Sequence, residues 1–188
     1  DGTEAYITRR YDVATDGRKI QQEDFASLAG VTADNAGKNY KYDSKSYEDI
    51  ASLIKKHIPA WRVELIKFYR IMLFNFLFAN GDAHLKNFSV LMTPEGDYVL
   101  SPAYDLINTL LHLPGDPIFA LQRGLFSNYT DNRNPVTGKT FHEFGIRIGL
   151  PEKTVKKELE RFCAEYTDID RLIGNSYLPE KLKVTYRR

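Results

Sequence analysis

The longest apolar segment of the chain predicts a buried helix. The segment "AWRVELIKFYRIMLFNFLFA", residues 60–79, is polar on one side at its start and apolar all round from Ile71 to Ala79, which is typical of a helix that becomes central. Charged residues and Asn75 interrupt it, and the uninterrupted apolar run is shorter than the roughly 20 residues that a bilayer needs. We therefore expect a core helix and no membrane span. The aromatic cluster that we expect in the core is Phe68, Tyr69, Phe74, Phe76 and Phe78.

Before this helix the pattern is less regular. Residues 4–11 alternate apolar and polar side chains and predict a strand. The segment "QQEDFASLAG" predicts a short helix, with early acids such as Asp24 favouring its N-terminus and Gly30 at its end. Residues 31–46 have no clear period and predict a long loop, a feature that tends to be functional or mobile.

Two helix starts are marked by their residues. Ser46 is expected to cap a helix that runs to about His57. Pro59 is expected to open the central helix, because proline is favoured in the first turn.

After the central helix the pattern changes to two short strands and then to helices. "FSVLM" and "YVLS" flank the turn signal "TPEGD", so residues 88–101 predict a β-hairpin. "TFHEFGIRIG" predicts a helix with a Thr140–Glu143 capping box. "LPEKTVKKELERFCAEY" predicts a helix that opens on a proline, with "KELER" as a solvated face, and Pro179 starts a last short helix. The fold class is α+β, predominantly helical, in one unit over residues 1–188.

The charge balance and the cysteine content exclude few classes of protein. The 26 Lys and Arg residues nearly balance the 25 Asp and Glu residues, so no broad field favours nucleic acid or an acidic partner. Cys163 has no second cysteine to pair with, which suits a reducing cytoplasm, and we expect a buried or half-buried structural thiol. The chain lacks an initiator methionine and opens almost at once on a strand, so we expect it to be cut from something longer.

The densest group of polar side chains follows the central helix directly, in "FANGDAHLKNFSV", residues 78–90. Asn87 precedes the first strand of the hairpin, and Asp105, in "SPAYDL", follows the second. Because antiparallel strands bring these ends together, both side chains should lie at the open end of the hairpin. Asp82 lies five residues before Asn87, so three oxygen-bearing side chains are expected to converge.

This convergence suits phosphoryl transfer. A few hard oxygen ligands on a loop suit Mg²⁺, which keeps waters and is completed by substrate phosphates. Phosphoryl transfer needs one aspartate to orient or deprotonate the attacking hydroxyl, and an asparagine and a second aspartate on the metal. In protein kinases the catalytic aspartate and metal-binding asparagine are separated by four residues, as Asp82 and Asn87 are here.

The elements "NGDAHLKNFS" and "LSPAYDL", the preceding "KFYRIMLFNFLFA", and the earlier "RRYD" and "QQEDF" together resemble the C-terminal lobe of HipA-type serine/threonine kinases. These kinases are the toxins of bacterial toxin–antitoxin pairs. The resemblance runs from about Tyr6 to at least Thr109, and more loosely through the helical remainder. It implies a kinase-like C-terminal lobe with a central buried helix, a catalytic loop and a small hairpin.

The resemblance implies a role for each site residue. Asp82 would be the catalytic base, and Asn87 and Asp105 would be the Mg²⁺ ligands. His84 and Lys86 would face the phosphates of ATP or brace the loop. Tyr104 would also lie near the nucleotide.

The resemblance also implies a hinge between two lobes, within residues 1–12. Backbone around Arg9, Arg10 and Tyr11 would meet the adenine, although the family has an acid where this chain has Arg9. The N-terminal lobe, with its phosphate-covering loop and strand lysine, would lie upstream of Asp1, in cis or in trans. Without it we expect negligible kinase activity from this chain alone.

The implied partners follow from the same family. The substrate would be a protein hydroxyl, with an aminoacyl-tRNA synthetase as the type of target. A helix-turn-helix antitoxin would bind the kinase, and DNA would be contacted only indirectly, through that antitoxin.

Other interpretations stay open. The pattern Asp82-x-His84-x-x-Asn87 also resembles the catalytic loops of small-molecule phosphotransferases, namely aminoglycoside phosphotransferases and phosphoinositide kinases. A third possibility is a non-catalytic partner-binding module derived from a kinase. Asp82 and Asn87 also suit a helix-exit turn, and Lys86 suits an ion pair that stabilises the loop as well as it suits a phosphate contact.

Overall fold

The computed structural model describes residues 7–128, 135–164 and 166–187. Its strands are β1 (Gln22–Asp24), β2 (Ser89–Met92) and β3 (Tyr98–Leu100). Its helices are α1 (Phe25–Leu28), α2 (Ala33–Ala36), α3 (Tyr40–Asp43), α4 (Tyr47–His57), α5 (Trp61–Leu77), α6 (Gly138–Arg147), α7 (Glu152–Phe162), α8 (Thr167–Gly174) and α9 (Glu180–Tyr186), with a 3₁₀ turn at Leu85–Asn87. The predicted class, α+β and predominantly helical, is confirmed.

The three strands form one antiparallel sheet in the order β1-β2-β3. The predicted hairpin is confirmed as β2 and β3, with Val90 opposite Leu100. The third strand corrects the prediction of a helix over all of "QQEDFASLAG", because Gln22–Asp24 pair with β2 and the helix begins only at Phe25. Asp24 caps that helix, and its side chain accepts a hydrogen bond of 2.9 Å from the Ser27 N–H, as the early acids suggested.

The predicted strand over residues 4–11 is wrong where the structure describes it. Residues 4–6 lie outside the described ranges, and residues 7–10 are exposed and form no strand. Ile7 is 88% exposed, so its apolar side chain has no core to face. The nearest pairing is a single bridge between Val13 and Lys19. Alternation alone does not make a strand where no sheet edge offers hydrogen bonds.

The predicted long loop over residues 31–46 is also corrected, because it contains α2 and α3. These helices have four residues each, too few for a hydrophobic period to appear in the sequence.

Helix α5 is the centre of the core, as predicted, and packs against α4, α7 and β3. Four of its residues are at most 1% exposed, namely Leu65, Phe68, Tyr69 and Met72. Phe76 is partly buried against the same core. The prediction was wrong for Phe74 and Phe78, which are only half-buried and stack on each other with ring centroids 4.3 Å apart.

Two carboxylates lie within the core. Glu64 accepts hydrogen bonds from the Leu100 N–H (3.0 Å) and from Lys67 Nζ (2.6 Å). Glu158 is only 2% exposed and accepts two hydrogen bonds from Arg70. This corrects the interpretation of "KELER" as a solvated face, because the face of α7 that carries Glu158 packs on α5.

The helix ends confirm most of the signals in the sequence. Ser46 caps α4, whose last residue is His57, α5 begins two residues after Pro59, and Pro179 precedes α9. The capping box of α6 is not Thr140–Glu143 but Thr137–Thr140, because the chain is already helical from Gly138.

Cys163 is exposed at the C-terminus of α7, against the expectation of a buried or half-buried thiol, because it stands at the C-cap and no longer in the helix. Across the described ranges, no helix combines the length and apolarity needed to cross a membrane.

Candidate active site

The loop that follows α5 is fixed by close contacts. Ala79 has a φ of 52° and turns the chain off the end of the helix. The Gly81 N–H donates to Thr109 Oγ1 (3.0 Å), and a Cβ on Gly81 would lie 2.3 Å from the Pro117 carbonyl oxygen. Only glycine fits at this position, so the path of the loop is set before the polar motif begins.

Asn80 connects this loop to the segment after the hairpin. Its Oδ1 accepts from the Asp82 N–H (3.2 Å), while its Nδ2 donates to Asn75 Oδ1 (3.1 Å) and to the Asp105 carbonyl oxygen (3.3 Å). The side chain is 4% exposed. One buried amide therefore contacts both the loop of Asp82 and the backbone of Asp105.

The side chain of Asp82 is half-buried at the rim of the loop. Its Oδ1 accepts a hydrogen bond of 3.0 Å from the Tyr42 hydroxyl, forty residues earlier in the chain. No local pattern places Tyr42 here, because the residues of α3 have no clear period and predict a loop.

Asn87 and Asp105 are in direct contact. Asn87 Nδ2 donates to Asp105 Oδ2 at 2.6 Å, and Asn87 Oδ1 accepts from the His84 N–H at 3.2 Å. At the open end of the hairpin, the Ser101 N–H donates a hydrogen bond of 2.8 Å to the Ser89 carbonyl oxygen. Asp105 has a φ of 54°, a left-handed conformation that aspartate adopts more readily than most residues.

His84 faces away from solvent and is 7% exposed. Its Nε2 lies 2.9 Å from Lys41 Nζ, and burial lowers its pKa, with the Lys41 charge lowering it further against the influence of Asp82. A lysine ammonium only donates, so Nε2 accepts and the neutral ring carries its proton on Nδ1. A neutral imidazole has one acceptor nitrogen, so this assignment excludes a hydrogen bond from the Lys86 N–H to Nδ1, which lies 3.3 Å away.

Lys86 and Tyr104 lie on the other side of the loop. The Lys86 side chain is exposed, and its carbonyl oxygen accepts from the Tyr104 hydroxyl at 2.6 Å. Tyr104 Oη also lies 2.5 Å from Ser89 Oγ, and burial raises the pKa of Tyr104 to about 12. Both residues line a cavity of about 460 Å³, together with Asp12, Lys19, Ile20, Gln22, Glu23, Asp24 and Ser89.

The three predicted hinge residues are placed unequally. The ring of Tyr11 lies 5.7 Å from that of Tyr104, beside this cavity. Arg10 forms an ion pair with Asp12 and is 62% exposed. Arg9 is exposed as well. The structure therefore brings Tyr11 to the site and leaves both arginine side chains exposed.

The donors present fit a magnesium ion completed by phosphates. Mg²⁺ usually binds through one or two carboxylates, with waters and substrate phosphates in its other positions. Asp105 supplies one carboxylate and Asn87 one amide oxygen, and the two side chains are joined through Asn87 Nδ2. Within the ranges that the structure describes, no group of three or more His, Cys, Asp or Glu residues could hold a metal ion alone.

A family model described as the HipA-like C-terminal domain matches residues 1–169. The chain belongs to this family. The resemblance predicted from the motifs is thereby confirmed.

Two relatives of this HipA-like domain carry the name of a kinase. It is 31% identical over 165 residues to "Putative kinase Y4dM" of Sinorhizobium fredii, and the aligned region covers 86% of this chain and 37% of that protein. It is 26% identical over 194 residues to a "Putative kinase" of Haemophilus influenzae, and the aligned region covers 94% of this chain and 55% of that protein. The chain therefore spans less than two thirds of the length of either relative.

A solved structure shares the fold. HipA of Shewanella oneidensis MR-1, in complex with HipB and operator DNA, matches 95% of this chain and 45% of its own chain with a TM-score of 0.65 at 21% identity. At this identity the likeness establishes the architecture of the HipA-like domain.

Sequence reasoning missed four residues that contact the site, namely Lys41, Tyr42, Asn80 and Ser89. Asn80 and Ser89 stand inside or beside the polar motif, so their position was a usable signal. Lys41 and Tyr42 come from a segment without a period, and no local signal marks them.

Proposed function

We propose that this domain is the catalytic-loop and Mg²⁺-binding lobe of a HipA-like serine/threonine protein kinase, the toxin component of a toxin–antitoxin module. It would transfer the γ-phosphate of ATP to a protein hydroxyl. The observation that carries the proposal is the contact between Asn87 and Asp105, which Asn80 links to the loop of Asp82. The kinase names of the relatives support it.

Asp82 would act as the base. The acceptor hydroxyl forms a bond to the γ-phosphorus, the bond from that phosphorus to the oxygen of the leaving ADP breaks, and the hydroxyl proton passes to the Asp82 carboxylate. The hydrogen bond from the Asp82 N–H to Asn80 holds the backbone of the base at the end of α5. A side chain at the rim of the loop is accessible to a substrate.

Asn87 and Asp105 would hold the metal. Bound Mg²⁺ supplies positive charge that offsets the negative charge on the transferring phosphate. The hydrogen bond between the two residues orients both side chains, and the Asn87 carbonyl keeps a second lone pair while it accepts from His84.

The cavity lined by Lys86 and Tyr104 is the proposed nucleotide site. Lys86, exposed at its rim, would meet the phosphates, and the Tyr104 and Tyr11 rings would lie near the base and sugar. Arg9 and Arg10 could contribute through their backbone only. For His84, the contacts with Lys41 and Asn87 favour bracing of the loop over contact with the nucleotide.

The partners proposed for the whole protein come from the family. The Shewanella HipA is bound to HipB and operator DNA, which supports an antitoxin partner for this protein and DNA contact through that partner. The protein substrate would be of the aminoacyl-tRNA synthetase type, and an N-terminal kinase lobe, in cis or in trans, would complete the nucleotide site.

The test compares the 188-residue chain with the same chain plus the coding sequence upstream of Asp1. Calorimetry with MgATP and phosphate transfer to protein from labelled ATP are measured for wild type, Asp82→Asn and Asp105→Asn. Asp97→Asn, in the exposed turn of the hairpin, is the matched control. We expect binding and transfer only with the upstream lobe.

The variants separate the proposed roles. Asp82→Asn should lose at least about a hundredfold in rate with MgATP affinity unchanged, whereas Asp105→Asn should lose affinity as well. Absence of nucleotide binding in every preparation would contradict the proposal and favour a partner-binding module. Transfer to small-molecule hydroxyls but not to protein would favour a small-molecule phosphotransferase.

A further inference from the structure

The segment from residue 41 to residue 47 contacts three successive residues of the catalytic loop. Lys41 Nζ lies 2.9 Å from His84 Nε2, and the Tyr42 hydroxyl donates to Asp82 Oδ1 at 3.0 Å. The Tyr47 hydroxyl donates to the Ala83 carbonyl oxygen at 2.9 Å. Of these three contacts, only that of Tyr42 reaches the side chain of the proposed base.

The position of Tyr42 is fixed from several directions. Its N–H donates to the Asn39 carbonyl oxygen (2.8 Å), and its carbonyl oxygen accepts from the Gln122 N–H (3.0 Å). Its ring meets the His84 ring edge-on at 5.1 Å, and Lys41 Nζ lies 4.8 Å from its centroid. The hydroxyl therefore reaches Asp82 from a side chain that is already held in place.

The contact engages one oxygen of the carboxylate. Tyr42 donates to Oδ1, and among the described residues no hydrogen bond to Asp82 Oδ2 is present. A hydrogen bond at one oxygen restricts the rotation of the carboxylate about its Cβ–Cγ bond, and so narrows the range of directions in which the second oxygen points. Placement of this kind contributes to rate because a misplaced reacting group can cost orders of magnitude.

We propose that Tyr42 is a positioning residue for phosphoryl transfer, holding Asp82 Oδ1 so that Oδ2 accepts the proton of the acceptor hydroxyl. This inference rests on the proposed function. The acceptor proton moves to Oδ2, and Tyr42 keeps its own proton throughout. The raised pKa of Tyr42, caused first by burial and also by the hydrogen bond to Asp82, agrees with a hydroxyl that stays protonated.

If the Tyr42 hydroxyl served only the fold, its removal would lower the stability of the protein. Asp82 is only half-buried, so water can replace the hydroxyl and the carboxylate needs no partner for the fold. Tyr42→Phe retains the ring, with its contact to His84 and its place in the wall of a second cavity, which is lined mainly by residues 117–122 and 124–126. The substitution should therefore change the rate and not the stability.

The experiment uses the full-length protein, with the upstream lobe, and a general protein phosphoacceptor such as casein or the protein itself. Wild type, Tyr42→Phe and Tyr40→Phe are compared for kcat, for KM of ATP, for MgATP affinity and for the temperature of unfolding. Tyr40 lies in the same short helix, and among the described residues its hydroxyl makes no hydrogen bond to the catalytic loop, so it is the matched control.

We expect Tyr42→Phe to lower kcat about tenfold, with KM for ATP, MgATP affinity and unfolding temperature unchanged, and Tyr40→Phe to match wild type. A kcat within twofold of wild type, or a parallel fall in stability, would overturn the positioning role while the proposed function stands. An inactive wild type that binds no nucleotide would overturn the proposed function, and this inference with it.

Discussion

The amide of Asn87 donates a hydrogen bond of 2.6 Å to the carboxylate of Asp105, joining residues that are eighteen positions apart. The hairpin between them makes the contact possible, because β2 leaves Asn87 and β3 returns the chain to the same end of the sheet. The proposed metal site thus depends on the sheet as much as on its two ligands.

Because the backbone of Asp105 is left-handed, two substitutions can separate the effect of its charge on binding from the effect of its backbone on stability. Asp105→Asn should keep the fold and lose Mg²⁺-dependent nucleotide binding, because asparagine tolerates a φ of 54° but lacks the charge. Asp105→Ala should lose binding and also about 1 kcal/mol of stability. Calorimetry and thermal unfolding measure the two effects, and equal stability of the two variants would contradict the backbone argument.

The ion pair between Arg70 and Glu158 should make stability depend on pH. Arg70, through its hydrogen bonds, holds the pKa of Glu158 below its ordinary value of 4.5. A lowered folded-state pKa stabilises the fold above pH 4.5, and this contribution is lost as pH falls through the lowered pKa.

Arg70→Met should therefore cost about 2–3 kcal/mol at pH 7, less than for a fully buried pair because Arg70 is 41% exposed. The cost should shrink below pH 4.5. Lys156→Met, in an exposed pair with Glu152 on the same helix, is the control and should leave the free energy of unfolding nearly unchanged, because solvent screens an exposed pair. Urea unfolding across pH measures both, and a cost for Arg70→Met that stays constant to pH 3 would exclude the pair as its cause.

Glu64 should stabilise β3 through one hydrogen bond. In Glu64→Leu the Leu100 N–H loses its acceptor in the core, which costs about 1–3 kcal/mol. Glu64→Gln keeps a carbonyl acceptor, and both variants lose the ion pair with Lys67. The difference between them in urea unfolding isolates the bond to Leu100, and no difference would show that water replaces it.

Two glycines of α6 should respond to alanine in opposite ways. A Cβ on Gly145 would lie 2.7 Å from Val155 Cγ2 and 3.2 Å from the Tyr69 ring, whereas a Cβ on Gly138 would meet nothing within 4 Å. Gly145→Ala should destabilise by about 1–3 kcal/mol, and Gly138→Ala should stabilise by up to about 0.5 kcal/mol. Thermal unfolding measures both, and a neutral Gly145→Ala would mean that α7 moves away without cost.

The elements that the sequence predicted correctly are those whose signal is local. Helix α5 has a long apolar pattern, α4 has Ser46 at its start, and the hairpin has a turn motif between two apolar runs. The order of Asp82, Asn87 and Asp105 around that hairpin also follows from neighbouring residues. These features need no knowledge of what packs against them.

The elements that the sequence mispredicted depend on distant partners. Gln22–Asp24 form a strand because β2 offers an edge, although the same letters suit a helix start. Glu158 is buried because Arg70 lies opposite it on α5. Charged residues on a short helix look solvated until the packed neighbour is known.

The sequence by itself determined the central helix, the hairpin and the polar motif that identifies the family. Only the tertiary structure decided which side chains support that motif. The Tyr42 hydroxyl donates to Asp82, forty positions later in the sequence. The physical reason is that the packing of α3 on the loop decides which side chains come within hydrogen-bond distance. No local period or turn residue in the sequence indicates that packing.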